Sequence, residues 1–111
     1  MKAIKILLIS ALMTSLAHAQ VTCQSVPTAS CLTEGMCFEF FESEVSDPEV
    51  WENLCEEVEG TYSNSPCDMT KTAVKCLTSN NIIVPVVHFL KDFSVDEATQ
   101  YCAMTQGTVC K

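Results

Sequence analysis

The chain has 111 residues, with 8 Cys, 14 Asp+Glu, 6 Lys+Arg and 2 His, which leaves room for one domain. No arginine is present and the formal net charge is −8. A chain this acidic repels nucleic acid and anionic membrane surfaces, so neither is expected as a partner.

Met1 to Lys5 is a short basic start, Ile6 to Leu12 is mainly apolar, and Ala17-His18-Ala19 is a small-x-small cleavage signal. These are the parts of a secretory signal peptide, with cleavage expected between Ala19 and Gln20. The competing readings are an N-terminal anchor and a core helix. The apolar stretch is short for a bilayer span and no second long run follows, so no membrane span is expected after removal of the signal. Cys23 lies three positions beyond Gln20, which argues against a lipid-anchored lipoprotein. Residues 20–111, 92 in all, keep the 8 Cys, the 14 acids and four lysines, for a net charge of −10.

A domain of that size buries about 60–65% of the surface its unfolded chain exposes, so its core is modest. Export and an even cysteine count predict a disulfide framework in an oxidising compartment, extracellular or periplasmic. The cysteines fall at 23, 31, 37, 55, 67, 76, 102 and 110. They form no C-x-x-C, so the usual signatures of a thioredoxin-type site and a zinc ribbon are missing.

Residues 20–35 lack periodicity and are expected as an N-terminal loop pinned by Cys23–Cys31. Cys37 to Phe41 looks like a strand, with Phe38 and Phe40 on one face and Glu39 and Phe41 on the other. Ser46-Asp47-Pro48-Glu49 then opens a helix, with Ser46 as N-cap and Glu49 completing a capping box. Val50, Trp51, Leu54, Cys55 and Val58 recur on its inner face, and Glu52, Glu56, Glu57 and Glu59 take the wet side. Gly60 is expected to end this helix, and Thr61-Tyr62 is extended. Ala73 to Leu77 is a strand, residues 78–81 a turn, and Ile82 to Leu90 its hairpin partner. Pro85 cannot donate to a ladder, so that strand is expected at a sheet edge or with a bulge. Ser94-Val95-Asp96-Glu97 is a second capping box, followed by an inner stripe of Val95, Ala98, Tyr101 and Cys102. Gly107 is expected to end the second helix, before an extended Thr108-Val109.

Both helices carry C-x-x-x-x-G-T, Cys55 to Thr61 and Cys102 to Thr108, and a cysteine follows each. The agreement of caps, cysteines and glycines in order predicts two degenerate strand–helix–strand halves. The expected fold class is α+β: a small disulfide-rich domain over 36–111, with two short helices on a small, mostly antiparallel sheet. From the repeat, Cys55–Cys67 and Cys102–Cys110 would each tie a helix to the strand after it. Cys37–Cys76 would join two strands, and Cys23–Cys31 would close the N-terminal loop. Eight cysteines allow 105 connectivities, and this local set is the expectation carried forward. The paired C-x-x-x-x-G-T modules over residues 36–110 resemble small cysteine-rich exported bacterial proteins of unknown function. That resemblance implies an exported bacterial protein without assigned chemistry and transfers no catalytic residue. This chain has single glycines, Gly60 and Gly107, where those proteins are expected to carry Gly-Gly.

Catalysis has little to build on. His88 is the one histidine after the signal and reads as a structural histidine rather than a general base. No G-x-S-x-G occurs. The expectation is no enzyme, no cofactor and no metal, with a small hydrolase as a remote alternative. Ten acids and no base lie between Glu34 and Glu59, whereas residues 60–111 hold four acids against four lysines. Three readings of that acidic segment stand open: a solvated face, a steering surface for a basic partner, and calcium binding, which lacks a D-x-[DN]-x-[DN]-G loop. The candidate partner surface is Glu39, Phe41, Glu42, Glu44, Glu52, Glu56 and Glu59, with an unburied Phe41 marking an interface. The expected role is an exported, disulfide-stabilised acidic binding or structural protein. The alternative is a secreted effector (toxin, inhibitor or signalling ligand) docking on a basic protein.

Overall fold

The structure, a computed structural model, describes residues 21–42, 47–78 and 84–111. The signal segment and cleavage point, Ser46, Glu44 and the Asn80-Asn81 turn lie outside them. Among the described residues, six strands and two α-helices run β1 (Ala29–Leu32), β2 (Met36–Phe40), α1 (Pro48–Glu57), β3 (Thr61–Ser63), β4 (Thr72–Leu77), β5 (Val86–Leu90), α2 (Val95–Met104) and β6 (Thr108–Cys110). A short 3-10 helix, Met69–Lys71, precedes β4. All strand pairings are antiparallel, in the order β3-β1-β2-β5-β4-β6. This is the α+β disulfide-rich fold expected from the sequence.

The order is a palindrome. Each half is a hairpin, then a helix, then a short strand that returns to the outer side of the hairpin's first strand. Cys31 pairs with Phe38 in the first hairpin and Cys76 with Val87 in the second, and Phe38 pairs with Val87 where the halves meet. Phe38 and Val87 therefore mark a pseudo-two-fold axis. The repeat is real and longer than the strand–helix–strand unit expected, because β1 belongs to it. Of the expected N-terminal loop, 20–35, the described part is not a separate loop: β1 sits between β3 and β2 inside the sheet.

Register partners point to the same side of a sheet, so Cys31, Phe38, Val87 and Cys76 share one face. Cys31 is bonded to Cys55 of α1 and Cys76 to Cys102 of α2, which puts both helices over that face. Leu32, Cys37, Glu39, His88 and Lys75 take the opposite face. There Cys37 is bonded to Cys67, in the connection that crosses from β3 to β4, and Cys23 is bonded to Cys110.

All four expected bridges are thereby corrected. Cys55 and Cys102 bond strands on the helix side, whereas Cys67 and Cys110 bond on the back. Cys37 and Cys76 lie on neighbouring hairpins but opposite faces, and so do the bridges made by Cys23 and Cys31. A local pairing would have to pass through the sheet, because alternate strand residues face opposite sides.

The core forms two clusters, one under each helix, with Val84 of the second half joining the first. Ala29, Cys31, Phe40, Trp51, Cys55 and Val84 form one cluster, and Val74, Cys76, Phe89, Ala98 and Cys102 the other. Phe40 stacks on Trp51 at 5.6 Å between ring centroids, and in the second half Phe89 and Tyr101 stack at 6.1 Å. Val87 is half-buried and packs against both clusters, Phe38 against the first.

Helix α2 starts as read, with a complete Ser94/Glu97 capping box. Helix α1 is capped one residue later than expected: Asp47, not Ser46, accepts the Glu49 N–H. Neither glycine supplies the turn after its helix. Positive φ falls one residue earlier, at Glu59 (58°) and Gln106 (59°). Gly60 and Gly107 are there for close approach: a Cβ at Gly60 would overlap Cys31 Sγ, and one at Gly107 would sit 2.6 Å from Cys76 Sγ. Strand β5 is a central strand, not an edge, since both β2 and β4 pair with it. Pro85 is compatible with this because it precedes the ladder and uses only its carbonyl, accepting from Thr78 N at 2.8 Å. The bulge lies instead in β4, between Thr72 and Val74.

Candidate functional site

Two places collect chemically active side chains, one on each face of the sheet. On the back face the β3–β4 connection covers the middle of the sheet. Ser30 Oγ donates to the Ser65 carbonyl at 2.6 Å, and Cys67 N–H donates to Glu39 Oε2 at 3.0 Å. Beneath it Glu39 and His88 are 3% and 0% exposed. Glu39 Oε1 and His88 Nε2 meet at 3.0 Å. On the other side of the imidazole, Nδ1 lies 3.0 Å from Thr72 Oγ1, whose hydroxyl reaches the Asp68 carbonyl at 3.1 Å. A hydroxyl has one proton to give. If Thr72 gives it to Asp68, it accepts from His88, so Nδ1 carries a proton.

Glu39, Cys67 and His88 each bring a donor atom within 4.8 Å of the others, the one such grouping among the described residues. The set does not suit a metal ion. Cys67 Sγ is bonded to Cys37, and the thiolate, not a disulfide sulfur, is the metal ligand. What remains is one nitrogen and one carboxylate, too few ligands for a metal site, with Nε2 and Oε1 3.0 Å apart and Oε2 accepting from Cys67 N–H. The pair acts as a clasp: it fastens the crossing connection to the two central strands.

On the helix face the chemistry is a matter of surface. Helix α1 reads PEVWENLCEE and α2 reads VDEATQYCAM, with acids in both and no base in either. The described lysines, Lys71, Lys75, Lys91 and Lys111, all lie outside the two α-helices; Lys75 faces the back, donating to the Cys23 carbonyl at 2.8 Å. Interspersed with the helix acids are exposed apolar side chains: Val50, Val58, Val95, Tyr101 and Met104. Glu52 leans toward the β3 edge, where burial first and the Glu52 carboxylate second push the Tyr62 phenol above its ordinary value.

Between the helices, over the pseudo-two-fold axis, lies a groove of about 470 Å³ lined by Phe38, Val87, Leu54, Val58, Thr105, Thr78 and Val84. Val58 and Thr105 are the C-caps of α1 and α2 and occupy equivalent positions in the two halves. Both helices thus turn their C-terminal ends toward this groove.

The expected partner surface is redrawn accordingly. Glu42, Glu52, Glu56 and Glu59 are exposed, as read. Glu39 is not on the surface, because its β2 position faces the covered side of the sheet, where it meets His88. Phe41 is 3% exposed and marks no interface; burying an aromatic ring of this size is worth about 2–3 kcal/mol. Glu44 lies outside the described residues. The groove itself was missed, and the signal for it was present: Leu54 and Val58, four residues apart on the inner face, both line it.

Among the described residues no helix is long and apolar enough to cross a membrane. Four disulfides and no free cysteine fit a stabilised secreted or extracellular protein, since such bonds persist in oxidising compartments. Compared with known protein families, curated proteins and solved structures, the chain matches none.

Proposed function

We propose that this is an exported binding protein that acts through its anionic helical face on a basic protein surface, without cofactor or turnover. The observation that carries the reading is the separation of charge between elements: both α-helices hold acids and exposed apolar side chains and no base, while the described lysines lie outside them. Like charges held on one side focus potential and steer a cationic partner. The absence of turnover is supported by His88, which is 0% exposed, with Nδ1 hydrogen-bonded to Thr72 and Nε2 closed off by Glu39 at 3.0 Å. A general base must reach the proton it abstracts. In this reading the chain is kin to small cysteine-rich exported bacterial proteins, and the equivalent placement of its two C-x-x-x-x-G-T modules on two disulfide-bonded helices supports that kinship. The same charge separation favours a second reading, a secreted effector that inhibits or signals by docking on its basic partner.

Poly-L-lysine is the simplest probe. The oxidised protein is expected to bind it at low ionic strength, to lose it steeply as salt rises, and to bind more weakly after the double change Glu52→Lys and Glu56→Lys. Binding that ignores salt or the charge reversal overturns the reading.

A further inference from the structure

We infer that the groove between α1 and α2 is a docking site for a cationic amphipathic helix, its apolar side on Phe38, Val87, Leu54 and Val58 and its basic side chains against the helix ends. The inference rests on the proposed anionic binding face and names the partner's chemistry. The groove floor is the central strand pair, Phe38 and Val87, and its α1 wall is Leu54 and Val58. Each helix has ten residues, about 15 Å at 1.5 Å per residue, so the groove suits an occupant of a few helical turns. Helix-in-groove recognition uses just this kind of apolar trough.

Charge selects the occupant. A helix C-terminus carries about half a negative charge, which basic side chains normally offset. Neither α1 nor α2 has a basic residue in its last turn. Helix α1 does the opposite, with Glu56 and Glu57 in that turn and Glu59 just beyond, all exposed. Glu57 lies three residues from Leu54, hence on the groove flank of the helix. This arrangement opposes helix stability and gains a rationale only when a cation sits at the groove mouth. A second copy of this chain, a fatty acid or an anionic lipid would bring further negative charge to the same place.

The experiment is titration calorimetry of the oxidised full chain with three synthetic peptides of about fourteen residues: an amphipathic Lys/Leu helix, the same composition scrambled so that no apolar face forms, and an amphipathic Glu/Leu helix. The Lys/Leu helix is expected to bind about tenfold or more tighter than the scrambled peptide, and the Glu/Leu helix not at all. Val58→Asn, at a side chain 42% exposed, is expected to weaken binding about fivefold, and Glu57→Lys to weaken it as well. Amide shifts of the unaltered protein are expected to move at Leu54, Val58, Val87 and Thr105, which keeps the test independent of how the variants fold. Equal binding of the ordered and scrambled peptides, or shifts confined to the outer faces of the helices, overturns the groove and leaves the anionic face standing. Failure of both peptides and of poly-L-lysine removes both. Preference for the Glu/Leu helix overturns the assignment of charge.

Discussion

Glu39 and His88 occupy equivalent places in the two halves, each one residue past the axial pair Phe38 and Val87, and their side chains meet at 3.0 Å. A duplicated position has thus become an acid in one copy and a base in the other. The contact is buried, and removing one partner of a buried charge pair costs about 3–5 kcal/mol, because the other is left uncompensated.

His88→Ala is therefore expected to lower the denaturant-unfolding stability of the oxidised protein by about 3–5 kcal/mol. Glu39→Ala should cost a similar amount, since it also orphans the Cys67 N–H. Glu39→Gln should be mild, about 1 kcal/mol or less. Its amide oxygen can accept from Cys67 N–H, and its N–H can donate to a neutral Nε2. Equal losses for Gln and Ala at this position would show that the clasp is not a hydrogen-bonded one.

The two glycines and their preceding residues should respond in opposite directions. Gly60→Ala and Gly107→Ala push a methyl into the disulfides beneath them, and overpacking of that kind costs about 1–3 kcal/mol. Glu59→Gly and Gln106→Gly relieve positive φ in residues that carry a Cβ and should leave thermal stability equal or higher, by up to about 1 kcal/mol. A stabilising Gly60→Ala would contradict the close approach.

Reduction should proceed in steps. Cys23 and Cys110 are partly exposed, whereas Cys31, Cys55, Cys76 and Cys102 are at most 1% exposed. Under limiting thiol reductant, Cys23–Cys110 is expected to open first, because exchange needs access to the sulfur. The two helix-to-strand bridges should open last. Alkylation and mass mapping would reveal the order, and early loss of Cys31–Cys55 would be incompatible with it.

Asp68 gives a pH signature. The Thr70 hydroxyl, then the Thr70 N–H, hold its carboxyl below the ordinary value, with Lys71 and Lys91 adding a little. A carboxyl depressed in the folded state contributes stability that is present above the unfolded pKa of about 3.9 and disappears as pH falls through the folded value. The stability difference between the natural chain and Asp68→Asn is thus expected to be flat near neutrality and to shrink below about pH 4. A difference that grows on acidification would reverse the assigned sign.

The helices, the disulfide framework and the repeat were legible because they rest on local signals. Ser94 and Glu97 can be read as a cap from four residues, and Cys55 and Cys102 stand in identical modules. Strand β1 was not legible, since four residues, Ala29 to Leu32, carry too short an alternation to declare themselves. Face parity was available, however. Phe38 and Phe40 were placed on one side of β2, which puts Cys37 on the other side with Glu39. Carried through the pairing of cysteines, that parity would have separated Cys37 from the helix-bound set.

Composition, charge and periodicity by themselves determined a small acidic α+β domain, rich in cysteine and poor in catalytic groups, because those properties add up residue by residue. Which cysteines bond, whether Glu39 faces water or His88, and that a groove opens over Phe38 and Val87 were decided only when two hairpins met side by side. Each depends on which side of one sheet a residue occupies, and the sheet's register is fixed by pairings between strands as far apart in the chain as β2 and β5.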